Sequence, residues 1–262
     1  MADDVLILIP ARLSATRLPG KPLADIGGLP MIVQVLRRAE EARLGPVVVA
    51  CDDETIVTAV DKAGGRAILT RADHPSGSDR IFEALGIVDP DARARIVVNF
   101  QGDMPTLEPA CLRAAVKLLE NDEVDIATLG ADLRDDEDWL NPNIVKVGGS
   151  VSDQTRFTAK TFSRLVAPEI GRFRNREPVP ISGVVYNFAR PSFFHHIGLY
   201  AYRRAALERF VGLPPSENEQ REKLEQLRAL EAGMRIDVAI VDTVPLGVDT
   251  PEDLAAARAM LR

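Results

Sequence analysis

Between Ile9 and Pro30 the chain reads Pro10-Ala-Arg-Leu-Ser-Ala-Thr-Arg-Leu-Pro-Gly-Lys-Pro-Leu-Ala-Asp-Ile-Gly-Gly-Leu29, without clear helical or strand periodicity. Loops of that length inside a compact domain are mostly functional. All its charges before Asp25 are positive: Arg12, Arg17 and Lys21. Three cations with hydroxyls and open backbone N–H groups suit a triphosphate. The same composition also suits a solvated basic surface loop. Two aspartates offer complementary chemistry. Asp103 follows Gln101-Gly102, where glycine permits a tight turn and close backbone approach. Asp249 lies just before a helix opening at Pro251. If both reach one point, two carboxylates could hold magnesium together with phosphate oxygens and waters. Taken separately, Asp103 also fits a turn aspartate and Asp249 a near-cap.

These residues need strand ends to bring them together. Val5–Ile9, Val47–Ala50, Arg66–Leu69 and Ile96–Asn99 are short β-type apolar runs. Helical patterns over Pro30–Ala42, Glu54–Ala63, Ser78–Leu85 and Pro109–Leu119 alternate with them, Ser78 lying near the N-cap of the third. The alternation predicts an α/β fold with a parallel, doubly covered sheet and right-handed crossovers. Ligands of such folds bind at the carboxyl edge of the sheet, where the first loop and Gln101–Asp103 fall; Asp249 can join them if the last strand pairs near the sheet centre. From about residue 132 to 200 the pattern breaks into short β-like runs (Ile144–Val147, Thr158–Phe162, Leu199–Tyr202) among Pro, Arg and Asn, suggesting an insertion with its own small sheet or a dimerisation arm. A helix over Glu217–Leu230, a returning strand Ile236–Val241 and a closing helix Pro251–Leu261, capped by Thr250, complete the chain.

Composition removes several alternatives. The 262 residues are 46% hydrophobic and 27% charged, ordinary for a globular chain able to bury a core. A net charge of -7 argues against general nucleic-acid binding. No apolar run approaches the roughly 20 residues of a membrane span, and Asp3 and Asp4 stand where a signal peptide would be basic. The 18 glycines contain no G-x-G, which removes the usual dinucleotide fingerprint. Gly20-Lys21 is followed by Pro22, so it is no Walker loop. No G-x-S-x-G elbow occurs, and three histidines make a histidine-built zinc site improbable. Two cysteines, Cys51 and Cys111, point to a reducing cytoplasm rather than a disulfide framework.

The loop Ile9–Leu23 resembles the signature loop of the sugar-acid cytidylyltransferases. Further stretches match that family in order: Thr70-Arg-Ala-Asp-His-Pro-Ser-Gly-Ser-Asp-Arg80, Gln101-Gly-Asp-Met-Pro105, Asn141-Pro-Asn-Ile-Val-Lys146, His196-Ile-Gly-Leu-Tyr200, Leu224-Glu-Gln-Leu-Arg228 and Gly247-Val-Asp-Thr-Pro-Glu-Asp-Leu254. The resemblance implies a Rossmann-like, GT-A-like nucleotidyltransferase fold: a three-layer α/β/α sandwich with a mostly parallel sheet. It would be a single domain over 1–262, with a small β-rich sugar-binding or dimerisation segment at about 132–200. It implies transfer of CMP from CTP to an eight-carbon 2-keto sugar acid, 3-deoxy-D-manno-octulosonate, for lipopolysaccharide synthesis in the cytoplasm by a homodimer. An amino variant of that sugar, a nine-carbon N-acylneuraminate, or nucleotide binding without catalysis are the alternatives.

Carried over residue by residue, the resemblance assigns catalysis to Arg12, Lys21, Asp103 and Asp249. Nucleotide contacts fall to Arg12, Ser14, Arg17, Lys21, Arg71, Ser78, Arg80 and Gln101. Sugar-acid contacts fall to Arg164, His196, Tyr200, Glu225 and Gln226. The aspartates would hold Mg2+, with a second magnesium carried largely by the phosphates. Met104 and Asp79 stand where many relatives carry Glu, and Gln220 and Lys223 also depart from the pattern. None of these departures removes a metal or phosphate ligand.

Overall fold

The computed structural model describes residues 4–14, 17–134, 136–153, 155–164, 179–181, 184–186 and 191–261. In chain order the strands are β1 (Val5–Ala11), β2 (Asp25–Ile26), β3 (Leu29–Pro30), β4 (Val47–Cys51), β5 (Ala67–Leu69), β6 (Ile96–Asn99), β7 (Ile126–Asp132), β8 (Lys146–Asp153), β9 (Arg156–Ser163), β10 (Val179–Ile181), β11 (Val184–Tyr186), β12 (Pro191–Arg203) and β13 (Ile236–Val241). The helices are α1 (Met31–Glu41), α2 (Glu54–Lys62), α3 (Gly77–Val88), α4 (Pro109–Leu118), α5 (Asp136–Leu140), α6 (Arg204–Gly212), α7 (Glu217–Glu222), α8 (Gln226–Glu231) and α9 (Pro251–Met260).

The chain forms two compact units. The first comprises Met1–Val116, Leu199–Val211 and Pro245–Arg262. Its strands run in the order β5-β4-β1-β6-β12. The first four are parallel, and Tyr200–Arg203 of β12 pairs antiparallel with β6. Every residue of β1 is buried, as a continuous apolar run requires of an interior parallel strand. Against this layer α1 buries Met31, Ile32, Val35, Leu36 and Ala39, one face at helical spacing. Each such side chain, fully withdrawn from water, contributes about 1.5–3 kcal/mol before the entropy of ordering it. Asp53 caps α2 by accepting from Thr55 N–H at 2.8 Å, and Gly64, at φ 76°, closes it.

The second unit comprises Lys117–Gly198 and Gly212–Val244. Its strand order is β7-β13-β9-β8, with β13 parallel to β7 and antiparallel to β9. The first residues of β12 pair antiparallel with β8, Pro191↔Ser150 through His195↔Lys146. Phe157 and Phe194 stack at 5.0 Å in its core. The segment 132–200 falls mostly within this unit.

The first unit carries the expected mostly parallel sheet, with the end of β12 added to it antiparallel. Other sequence expectations are corrected. The first loop contains local structure: Lys21–Leu23 forms a 3-10 turn, and β2 and β3 form a hairpin over Gly27-Gly28, both with positive φ. The expected helix 217–230 is two helices, α7 and α8, broken where Lys223 adopts φ 58°. The cap of α3 is Ser76, which accepts from Asp79 N–H at 3.1 Å; Ser78 is instead buried inside the helix. Strand β7 and helix α6 carry no expectation from the sequence.

Candidate active site

The first unit carries a cavity of about 330 Å³ at the carboxyl ends of β1 and β6. Of the residues expected to act, Arg12, Arg17, Lys21, Arg80, Gln101, Asp103 and Asp249 line it. Gly20, at φ 67°, turns the chain into the 3-10 turn that delivers Lys21. Its Nζ donates to Asp103 Oδ2 and to Asp249 Oδ1, both at 2.9 Å. Arg17 Nη2 lies 2.9 Å from Asp249 Oδ2. Three of the four carboxylate oxygens thus touch a cationic nitrogen. The two aspartates are held in register by the backbone, Val248 N–H donating to Asp103 O at 2.9 Å.

The electrostatics follow from that arrangement. Burial disfavours the Lys21 ammonium, yet Asp103 and then Asp249 outweigh it and raise its pKa. Burial likewise opposes ionisation of Asp249, but the hydrogen bond and charge of Lys21, then of Arg17, hold it below the usual carboxylate range. The near-cap alternative for Asp249 is removed. Thr250 caps α9 in a reciprocal box with Asp253, and the Asp249 side chain turns to the cations.

One ammonium reached by both carboxylates means that both can reach one cation. Hard carboxylate oxygens are the donors magnesium takes, so the pair fits such an ion. Among the described residues no group of three or more His, Cys, Asp or Glu is placed to hold a metal. Further ligands would have to come from a bound phosphate or from water.

Gly102 has a specific reason to lack a side chain: a Cβ there would lie 2.7 Å from Pro10 O. That contact lets the Gln101–Asp103 turn approach the end of β1. Gln101 Nε2 donates to Asn99 Oδ1 at 3.2 Å. Arg80 is 4% exposed and donates through Nη1 to Thr70 Oγ1 (2.6 Å) and Arg71 O (3.0 Å). Other expected residues sit elsewhere. Ser14 and Arg71 are exposed, Arg71 Nε lying 3.5 Å from Asp73 and 3.8 Å from Glu83. Ser78 is buried in α3.

Sequence reasoning missed His74, Ser76 and Gly77 in the cavity wall. His74 Nε2 bonds the Glu83 carboxylate, which also accepts the Arg71 N–H. The signal for this turn was present in Ser76-x-x-Asp79, a cap pattern displaced two residues from the serine first considered.

In the second unit, Arg164 Nη1 donates to Pro142 O (3.3 Å) and Asn143 O (3.1 Å), gripping the Asn-Pro-Asn turn. Buried Lys146 donates to Asn141 O at 2.7 Å. His196 is buried, its Nε2 3.0 Å from Thr128 Oγ1 and its ring edge-on to Phe162. Burial, then the charges of His195 and Arg164, push its pKa down to about 3, so the ring is neutral. Gln226 is buried, and Glu225 Oε1 lies 3.5 Å from Arg228 Nη2. Tyr200 belongs to the first unit, paired with Asn99.

Residues 6–236 match a family model described as cytidylyltransferase. A 3-deoxy-manno-octulosonate cytidylyltransferase of Rhizobium etli (strain CIAT 652) is 58% identical over 259 residues, 99% of this chain and 96% of the relative. A protein of the same description from Rhodopseudomonas palustris (strain BisA53) is 58% identical over 258 residues, 98% of this chain and 97% of the relative. A solved structure described as CMP:2-keto-3-deoxy-manno-octonic acid synthetase complexed with CTP aligns with a TM-score of 0.81 and 37% identity, covering 98% of this chain and 97% of that one.

Proposed function

The chain belongs to the cytidylyltransferase family, and from that premise we infer that it transfers CMP from CTP to 3-deoxy-D-manno-octulosonate, releasing pyrophosphate, for lipopolysaccharide synthesis. The observation that carries this reading is the convergence of Lys21, Asp103 and Asp249 on one point of a cavity walled by further cations.

The sugar's anomeric hydroxyl attacks the α-phosphorus in line. The new P–O bond forms as the bond to the bridging oxygen breaks, and no protein nucleophile is required. Catalysis is then positioning and charge stabilisation. Lys21, with Arg12 and Arg17, neutralises charge on the phosphates. Arg80 and Gln101 border the nucleoside side, with Ser14, Arg71 and Ser78 assigned to it by the family pattern. Asp103 and Asp249 would hold Mg2+, which when bound polarises phosphate and hydroxyl oxygens. Arg164, His196, Tyr200, Glu225 and Gln226 are assigned to the sugar acid. His196, being neutral, can take part only by hydrogen bonding. A homodimer in the cytoplasm completes the reading; no helix among the described residues is long and apolar enough to cross a membrane.

Pyrophosphate release measured with CTP, UTP and GTP against a panel of eight- and nine-carbon sugar acids tests it. Turnover should be greatest with CTP and 3-deoxy-D-manno-octulosonate. Equal rates with GTP, or a clear preference for a nine-carbon acid, would overturn the assignment.

A further inference from the structure

Asp52 stands at the end of β4, outside the cavity wall, with a side chain only 9% exposed. Its two carboxylate oxygens serve two different elements, the first loop and the first turn of α3. Oδ1 accepts the Leu13 N–H at 2.9 Å, between Arg12 and Ser14 of the first loop. Oδ2 lies 3.7 Å from Arg80 Nη2, an ion pair too long for a direct hydrogen bond. Arg80 itself, with a side chain 5% exposed, reaches Thr70 Oγ1 and Arg71 O, and Thr70 Oγ1 donates back to Cys51 O at 3.0 Å. The loops after β1, β4 and β5 are therefore tied together through one carboxylate and one guanidinium, the latter lining the cavity.

A buried ion pair is weak evidence for stability, because desolvating both charges offsets much of their attraction. Its geometry is nonetheless specific, since a buried charge is costly unless it faces its partner. From these contacts we propose that Asp52 is a positioning residue for the nucleotide. One oxygen sets the phosphate-binding loop through the Leu13 amide, and the other sets Arg80 on the nucleoside side. The proposal rests on the nucleotidyl-transfer reading above.

The division between the two oxygens can be tested on the full chain by titration with CMP and with inorganic triphosphate. Asp52→Asn keeps a carbonyl acceptor for Leu13 N–H but removes the charge facing Arg80. It should weaken CMP about tenfold, raise KM for CTP similarly, and leave kcat and inorganic triphosphate affinity near the wild-type values. Asp52→Ala removes both contacts and should weaken both probes. Arg80→Lys approaches the same pair from the other side and should weaken CMP alone, which keeps the test available if an Asp52 variant does not fold. The double variant Asp52→Asn/Arg80→Lys should be no worse than either single one. Additive losses, equal loss of both probes in Asp52→Asn or Arg80→Lys, or wild-type CMP affinity in folded Asp52→Asn would each overturn the proposal. Wild-type protein that releases no pyrophosphate from CTP and the sugar acid would instead sink the nucleotidyl-transfer reading.

Discussion

Lys21 occupies the position where the charges of the site meet. With its ammonium 2.9 Å from both Asp103 and Asp249, it is their counter-ion before any nucleotide arrives. A triphosphate would offer the same ammonium a more strongly charged partner than either carboxylate. Lys21→Ala should lower turnover by about a hundredfold or more, the usual cost of losing a transition-state charge stabiliser, while a melting curve stays near wild type. The same variant should bind Mn2+ without nucleotide at least about tenfold more tightly than wild type, because two carboxylates lose a competing cation. Unchanged turnover together with unchanged Mn2+ affinity would remove Lys21 from the site. Asp249→Asn asks the complementary question. The cap of α9 belongs to Thr250 and Asp253, so the fold should survive at neutral pH while turnover collapses. Asp249's native pKa is depressed, so its contribution to stability is present above the ordinary aspartate value and fades as pH falls through the native one. The Asn variant should therefore show a slightly shallower acid limb; early unfolding at pH 7 would make Asp249 structural.

At the scale of elements, β12 carries the clearest pH-dependent group. His196 is pinned neutral between Thr128 and Phe162, with a pKa near 3 against 6.5 for a free imidazole. Between those values the unfolded chain binds a proton that the folded chain refuses. Stability is complete above about 6.5 and falls below it by about 1.4 kcal/mol per pH unit from this group. His196→Gln, which can still meet Thr128 Oγ1, should flatten denaturant-derived stability against pH by about one proton between pH 6 and 4. An unaltered slope would mean that the ring is not held neutral. Legibility from sequence also divides at this scale. The interior strands of the first unit were readable because they are unbroken apolar runs, and the helices over them because their buried faces recur at helical spacing. Only the end of β12 was readable, since Ser192, His195 and His196 interrupt the apolar pattern; pairing with β8 and β6, not propensity, makes it a strand of thirteen residues. The break at Lys223 was invisible because a lysine in a left-handed conformation leaves no mark in composition. Arg12, Arg17 and Lys21 stand out in the sequence as the charges of one long loop after β1, and Asp103 and Asp249 as carboxylates in the turns after β6 and before α9. Asp52 follows β4, but its two partners, Leu13 of the first loop and Arg80 of α3, lie 39 and 28 positions away, which spacing cannot reveal.

For the whole molecule the question is whether the two units unfold together. Neither is a continuous stretch of chain: the polypeptide passes between them at 116/117, 198/199, 211/212 and 244/245. The second crossing falls inside β12, with no linker, so melting either unit would fray a strand that the other pairs. Domain boundaries of independent folders normally fall in flexible linkers, whereas this one falls inside a strand. A single cooperative transition is therefore expected by calorimetry. The described residues that line the cavity proposed for the nucleotide all belong to the first unit. If unfolding is cooperative, CTP with Mg2+ bound there must stabilise the entire chain. At a hundred times its Kd the gain is about 2.7 kcal/mol. For a chain of this size each kcal/mol moves the midpoint by about 2–4 °C, so the shift should be roughly 5–10 °C. Far-UV circular dichroism and fluorescence of Trp139, which lies in the second unit, should report the same displaced midpoint. Two transitions, with CTP moving only the one that Trp139 does not report, would show that the units are separate cooperative bodies and that the single-domain description is wrong.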